Sequence, residues 1–185
     1  MFASLIFVGE TLFGVSESHP RPAESSVAGD GLEPVFGSTT PLFNGVDLAG
    51  WNAYFGDGSS DASKAWSVRD GILVCNGGPV GYLQTDLRYE NFELVLEWRF
   101  DPKLGAGNSG VLLRTTGTDK VWPRCIEAQL HSRNAGDIWN IGAFPMTADP
   151  ERTKGRRTAK ARETNEKPLG EWNRYRIRLD RDRLT

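Results

Sequence analysis

The stretch "NFELVLEWRFD", Asn91 to Asp101, alternates along its whole length. Phe92, Leu94, Leu96, Trp98 and Phe100 fall on one side, and Glu93, Val95, Glu97 and Arg99 on the other. A period of two is the side-chain repeat of a β-strand, whose successive Cβ atoms point to opposite faces. Wound into a helix, the same residues would scatter their rings around its circumference. The chain therefore needs a second layer to cover this apolar face. A hairpin follows from "AWSVRDGILVCNGG", where Asp70-Gly71 can supply the positive φ angles of a tight turn between Trp66–Arg69 and Ile72–Cys75. "VGYLQT", "GNSGVLLRT" and "CIEAQLH" read as further strands, and "EWNRYRIRLDRD" alternates Tyr175, Ile177 and Leu179 with Arg174, Arg176, Arg178 and Asp180. Strands at roughly ten-residue spacing with Gly-rich turns predict an all-β fold, an antiparallel β-sandwich.

A length of 185 residues, 38% of them hydrophobic and 25% charged, suits one domain with a sizeable core. With 22 basic and 24 acidic residues, the formal charge of −2 gives no drive toward nucleic acid or anionic membrane. No apolar run approaches the about 20 residues of a membrane span. Residues 1–15 resemble a degenerate signal segment: Phe2 to Gly9 is apolar, but a basic n-region is missing and Glu10 interrupts the run. Residues 16–40, rich in Ser, Pro, Gly and acidic side chains, read as a flexible linker. The folded domain is expected over 41–185, incomplete at its C-terminal end because the strand in "YRIRLDRDRLT" calls for a further partner. Cys75 and Cys125 are expected to be buried free thiols. The charged segment 147–168, "TADPERTKGRRTAKARETNEKP", is expected to be a solvated excursion or short surface helix, with a basic lid over a substrate site as the alternative.

The candidate site lies in "IEAQLH". If this segment is a strand, Ile126, Ala128 and Leu130 share one face, and Glu127, Gln129 and His131 the other. A carboxylate, an amide and an imidazole together can bind hydroxyls, hold water and move protons. Glu97, Arg99 and Arg114 occupy alternating positions on neighbouring predicted strands, which would enrich this face in donors and acceptors. "GAGNSGVLLR" brings Asn108 into a turn ahead of Arg114, and both could meet sugar oxygens or a carbonyl. "GDIWNIGAF" adds Asp137, Trp139 and Asn140; Trp139 is either core or a stacking platform for a pyranose ring. The chain has no G-x-S-x-G elbow, no Cys–His nucleophile motif, no HExxH, no paired CxxC, no P-loop and no dinucleotide fingerprint. What remains is carboxylate, histidine and arginine chemistry on a sheet, which suits proton transfer on a carbohydrate.

Six segments then stand in a familiar order: "PLFNGVDLAGWNAY", "WSVRDGILVCNGGPVGYLQTD", "YENFELVLEWRF", "GNSGVLLR", "IEAQLHSRNAGDIWNIGAF" and "KPLGEWNRYRI". From about Pro41 onward the chain resembles the 3-keto-disaccharide hydrolase domain family. The resemblance implies a concanavalin A-like sandwich (jelly roll), export from a bacterial cell, and cleavage of glycosides carrying a ketone at C3. It leaves oligomeric state open. On this basis Glu127 or His131 is the expected proton-transfer residue and Arg114 the enolate stabiliser. Asn108, Gln129, Asp137, Trp139, Glu97 and Arg99 are the expected substrate contacts. No particular cofactor is assigned; a divalent metal on Glu127, His131 and Asp137 is an option. The rival expectations are a non-catalytic carbohydrate-binding module and a structural domain of a larger envelope protein, since fold does not fix function.

Overall fold

The computed structural model describes residues 39–185 and, ahead of them, the backbone of β1 (Leu5–Val8) and β2 (Gly14–Ser16). Most of the leader-like segment, and residues 17–38 of the predicted linker, lie outside the described residues. The remaining strands are β3 (Trp51–Phe55), β4 (Trp66–Arg69), β5 (Ile72–Cys75), β6 (Gly81–Thr85), β7 (Glu90–Phe100), β8 (Gly110–Thr116), β9 (Arg124–Gln129), β10 (Ile138–Ile141), β11 (Thr153–Lys154), β12 (Arg157–Thr158), β13 (Asn173–Asp180) and β14 (Arg183–Leu184). No helix among the described residues is long and apolar enough to cross a membrane.

The alternating stretch forms β7, the longest strand. It pairs with β13 from Phe92 to Trp98 and, on its other edge, with β1 and β2. The first sheet runs β14-β13-β7-β1-β5-β4, with β2 beside β7. β13 is paired by β7 from Asn173 to Leu179, and on its other edge the short β14 pairs with Leu179 and Asp180. The second sheet runs β11-β12-β10-β9-β8, and β3 and β6 form a separate ribbon. Every pairing is antiparallel. At the β4–β5 hairpin Arg69 pairs with Ile72 across a two-residue turn, with Asp70 at φ 51° and Gly71 at φ 75°. Two positive φ values define the type I′ turn that matches strand twist.

The two sheets pack face to face. Leu96, Trp98 and Phe100 of β7 meet Leu130, with Val111 of β8 and Tyr175 of β13 against them. Beside them Leu113, Ile126 and Ala128 of the second sheet pack on Ile177 of β13. Apolar residues from both inner faces thus close one core, an antiparallel β-sandwich. The apolar half of "IEAQLH" is buried as its alternation requires, which turns Glu127 and Gln129 to the opposite face of the second sheet. Cys125 is a free thiol and fully buried, and Cys75 is partly buried.

Candidate functional site

The outward face of the second sheet is built rung by rung. Glu127 on the central strand β9 lies opposite Leu112 of β8 and Trp139 of β10, and Trp139 lies opposite Arg157 of β12. Directly opposed residues share a face, so these four side chains form one rung. In the next rung Gln129 lies opposite Gly110. The ladder continues past the strand ends: Leu130 N donates to Ser109 O at 2.8 Å and Ser132 N to Gly107 O at 3.0 Å. That register sets Asn108 opposite His131, on the same face by alternation. Asn108, Glu127, Gln129, His131 and Trp139 are therefore gathered on one surface.

Glycine shapes the floor. A Cβ at Gly110 would collide with the Oε1, Cγ and Cδ atoms of Glu127, so the carboxylate lies against bare backbone. Glu127 is 7% exposed, and no hydrogen bond or ion pair holds its carboxylate among the described residues. Burial pushes its pKa up, and the positive charge of Arg156 opposes that rise. Cys125, next along the same face, has its thiol pushed up to about 12, by burial first and then by Glu127. On this face Trp139 Nε1 and Asn108 Oδ1 are buried without a partner, as are Trp66 Nε1 and Arg99 Nε elsewhere among the described residues. Buried polar groups are normally paired, and the exceptions call for an explanation such as a ligand.

Asp137 is different. Only 1% exposed, it accepts from Arg157 Nε at 2.7 Å through Oδ2 and from Lys160 N at 2.9 Å through Oδ1. Both oxygens are engaged, so its task is to tie the segment after β12 to the sheet. His131 is half-buried, and its Nδ1 lies 2.8 Å from Asn134 Nδ2. The three-ligand set of Glu127, His131 and Asp137 does not form. Among the described residues no three His, Cys, Asp or Glu side chains cluster for a metal, and Asp137 is committed elsewhere.

Three expected neighbours are not brought to this face. Glu97 and Arg99 belong to β7 in the other sheet. There Glu97 opposes Arg174, while Arg99 donates to Gly170 O at 3.1 Å and stacks over Trp172 at 4.5 Å. The expectation took sequence neighbours for sheet neighbours; β9 pairs with β8 and β10 instead. Arg114 sits on β8 at an irregularity where the register shifts between Leu113 and Thr116. At φ 55° it turns away and donates to Arg181 O at 2.9 Å. The cation that does reach the site is Arg156, which the sequence reading missed. Its guanidinium carbon stands 5.5 Å from the centre of the Trp139 ring. Its segment, 147–168, forms no helix: the β11–β12 hairpin extends the second sheet beside β10.

Residues 38–185 match the family model described as a 3-keto-alpha-glucoside-1,2-lyase-like domain. The chain belongs to this family. It is also similar to a 3-keto-disaccharide hydrolase of Bacteroides thetaiotaomicron, 28% identical over an alignment covering 74% of this chain and 50% of that protein. The chain thus spans about half the length of this curated relative. No solved structure matches it. The matched region holds the whole second sheet, so the Glu127 face lies within the 3-keto-glucoside lyase-like domain.

Proposed function

We propose that this domain cleaves glycosides already oxidised to a ketone at C3, with Glu127 as the base that removes the C2 proton. The observation that carries this reading is the state of Glu127: a carboxylate buried on a sheet face, raised in pKa by desolvation, and held by no hydrogen bond among the described residues. A carboxylate left in that state is a strong proton acceptor, and perturbed groups of this kind concentrate at catalytic sites. The family supports the chemistry. Its description names a 1,2-lyase acting on a 3-keto-α-glucoside, and the relative is named a hydrolase.

One sequence of steps accommodates both names. A ketone at C3 acidifies the proton on C2. Glu127 takes that proton; the C2–H electron pair forms a C2=C3 bond and the carbonyl pair moves onto the C3 oxygen as an enolate. When the enolate collapses back to the ketone, a C1=C2 bond forms and the C1–O bond breaks. The leaving oxygen departs with the bonding pair and picks up a proton. Water adding across C1=C2 then restores a hydroxyl at C1 and hydrogen at C2, so elimination followed by hydration amounts to hydrolysis. His131 has its Nδ1 2.8 Å from Asn134 Nδ2, so that nitrogen is engaged. That arrangement favours Glu127 over His131 as the base. Trp139 Nε1, a donor, and Asn108 Oδ1, an acceptor, are buried on this face without a hydrogen-bond partner among the described residues.

A carbohydrate-binding module would use Trp139 as an open stacking platform. Arg156 stands over that ring, which speaks for the catalytic reading. The test is Glu127→Gln, which keeps the shape of the side chain. Its kcat on a 3-keto-disaccharide is expected to fall by at least the roughly 10²–10⁴-fold typical of general base catalysis, with sugar affinity retained. Turnover equal to that of the unmodified protein would remove Glu127 from the mechanism.

A further inference from the structure

Resting on that reading, we propose that Arg156 is the group that meets the developing enolate oxygen, the role expected of Arg114 from sequence. Position comes first. Arg156 sits in the turn of the β11–β12 hairpin, where Lys154 pairs with Arg157 and Gly155 adopts φ 60°. Its carbonyl accepts from Asn140 N at 2.8 Å, which pins the turn to β10. Its guanidinium lies over Trp139, the cross-strand partner of Glu127. Cross-strand partners hold their Cβ atoms about 5 Å apart, so cation, ring and carboxylate are consecutive neighbours on one surface.

Availability comes second. The hairpin and the residue before it carry two other arginines, and both are committed. Arg152 pairs with Asp149 at 2.8 Å and Arg157 with the buried Asp137 at 2.7 Å. Arg156 has no ion pair and no side-chain hydrogen bond among the described residues; it stacks on the indole face, and its charge acts on Glu127. It is exposed, so its guanidinium can turn toward an incoming oxygen without breaking a hydrogen bond or an ion pair among the described residues. Arginine suits the task because it stays charged, gives up hydration easily and keeps a stacked orientation on an aromatic ring. The proton balance is unchanged. Glu127 takes the C2 proton and the electron pair reaches the C3 oxygen, where Arg156 donates hydrogen bonds and gives up no proton.

The experiment compares the unmodified chain with Arg156→Ala, Arg156→Lys and Lys154→Ala, the last being the exposed neighbour in the same hairpin. Each is assayed on a 3-keto-disaccharide for kcat, KM and restoration of activity by added guanidinium, with a thermal unfolding curve. Arg156→Ala is expected to lose about 10²–10³-fold in kcat, as on removal of one oxyanion donor. Its melting curve should be unchanged, guanidinium should restore part of the loss, Arg156→Lys should fall between, and Lys154→Ala should match the unmodified chain. Arg156→Ala turnover within threefold of the unmodified chain overturns the role of Arg156 and leaves the Glu127 reading standing. An equal loss in Lys154→Ala also overturns it, because the hairpin and not the guanidinium would then be responsible. No turnover by the unmodified chain overturns both.

Discussion

Glu127 and Asp137 are both carboxylates buried against the same sheet, and their surroundings give them opposite duties. Asp137 has a guanidinium on one oxygen and a backbone amide on the other, so its charge is used up in holding structure. Glu127 has neither, and its carboxylate lies over Gly110 in a site that disfavours charge. A folded-state pKa above the unfolded value, about 4.3 for glutamate, means that the stability linked to Glu127 is present in full below the unfolded value. It is lost as pH rises through the folded one. Glu127→Gln is therefore expected to be more stable than the unmodified chain at neutral pH, by on the order of 1 kcal/mol. The advantage should shrink toward zero in acid. Urea unfolding at neutral and acid pH measures both; a variant less stable at neutral pH would contradict the account of this carboxylate. By the same sign, the acid limb of kcat/KM should lie above the ordinary glutamate range, since the base must be ionised. Alternation alone marked Glu127, Gln129 and His131 as one face. That Glu127 has no hydrogen bond or ion pair among the described residues was not legible, because it depends on where Arg157 and Lys160 are spent.

Local elements were readable where the physics is local. Asp70-Gly71 specifies its own turn, and the two-residue loop then fixes the register of β4 on β5. The β11–β12 hairpin is the opposite case. Its strands are two residues each, too short to show any period, and it holds its place through Asp137 and the pairing of β12 with β10. Segment 147–168 therefore reads as solvated charge although it carries a residue of the site. Asp137→Ala should cost about 2 kcal/mol, the scale of hydrogen bonds to a charged group. It should also speed amide exchange at Lys160 and lower turnover as Arg156 loses its position. Lys160 protection equal to that of the unmodified chain would show that Asp137 does not anchor the hairpin. Arg114 fails as an expectation for a related reason: the irregularity after Leu113 reverses its direction, and sequence does not announce a bulge.

At the scale of the whole molecule, the sandwich is foreshadowed by apolar faces that each need a cover. Leu96, Trp98 and Phe100 on one sheet, and Ile126, Ala128 and Leu130 on the other, supply it to each other. Which strands become neighbours is a long-range choice, so Glu97 and Arg99 were placed beside β9 when they belong to the opposite layer. The consequence for function is a division of labour. The inner face of the second sheet holds the core, and its outer face is left to present Glu127, Gln129, His131, Trp139 and Asn108 together. The central claim is that this outer face removes the C2 proton of a 3-keto-glycoside. Its most direct test is cleavage of a 3-keto-disaccharide in D₂O, with deuterium at C2 of the released keto-sugar read by NMR. Release is expected with deuterium incorporated at C2, and Glu127→Gln is expected to give neither release nor incorporation. Sugar released with its C2 hydrogen intact would contradict it.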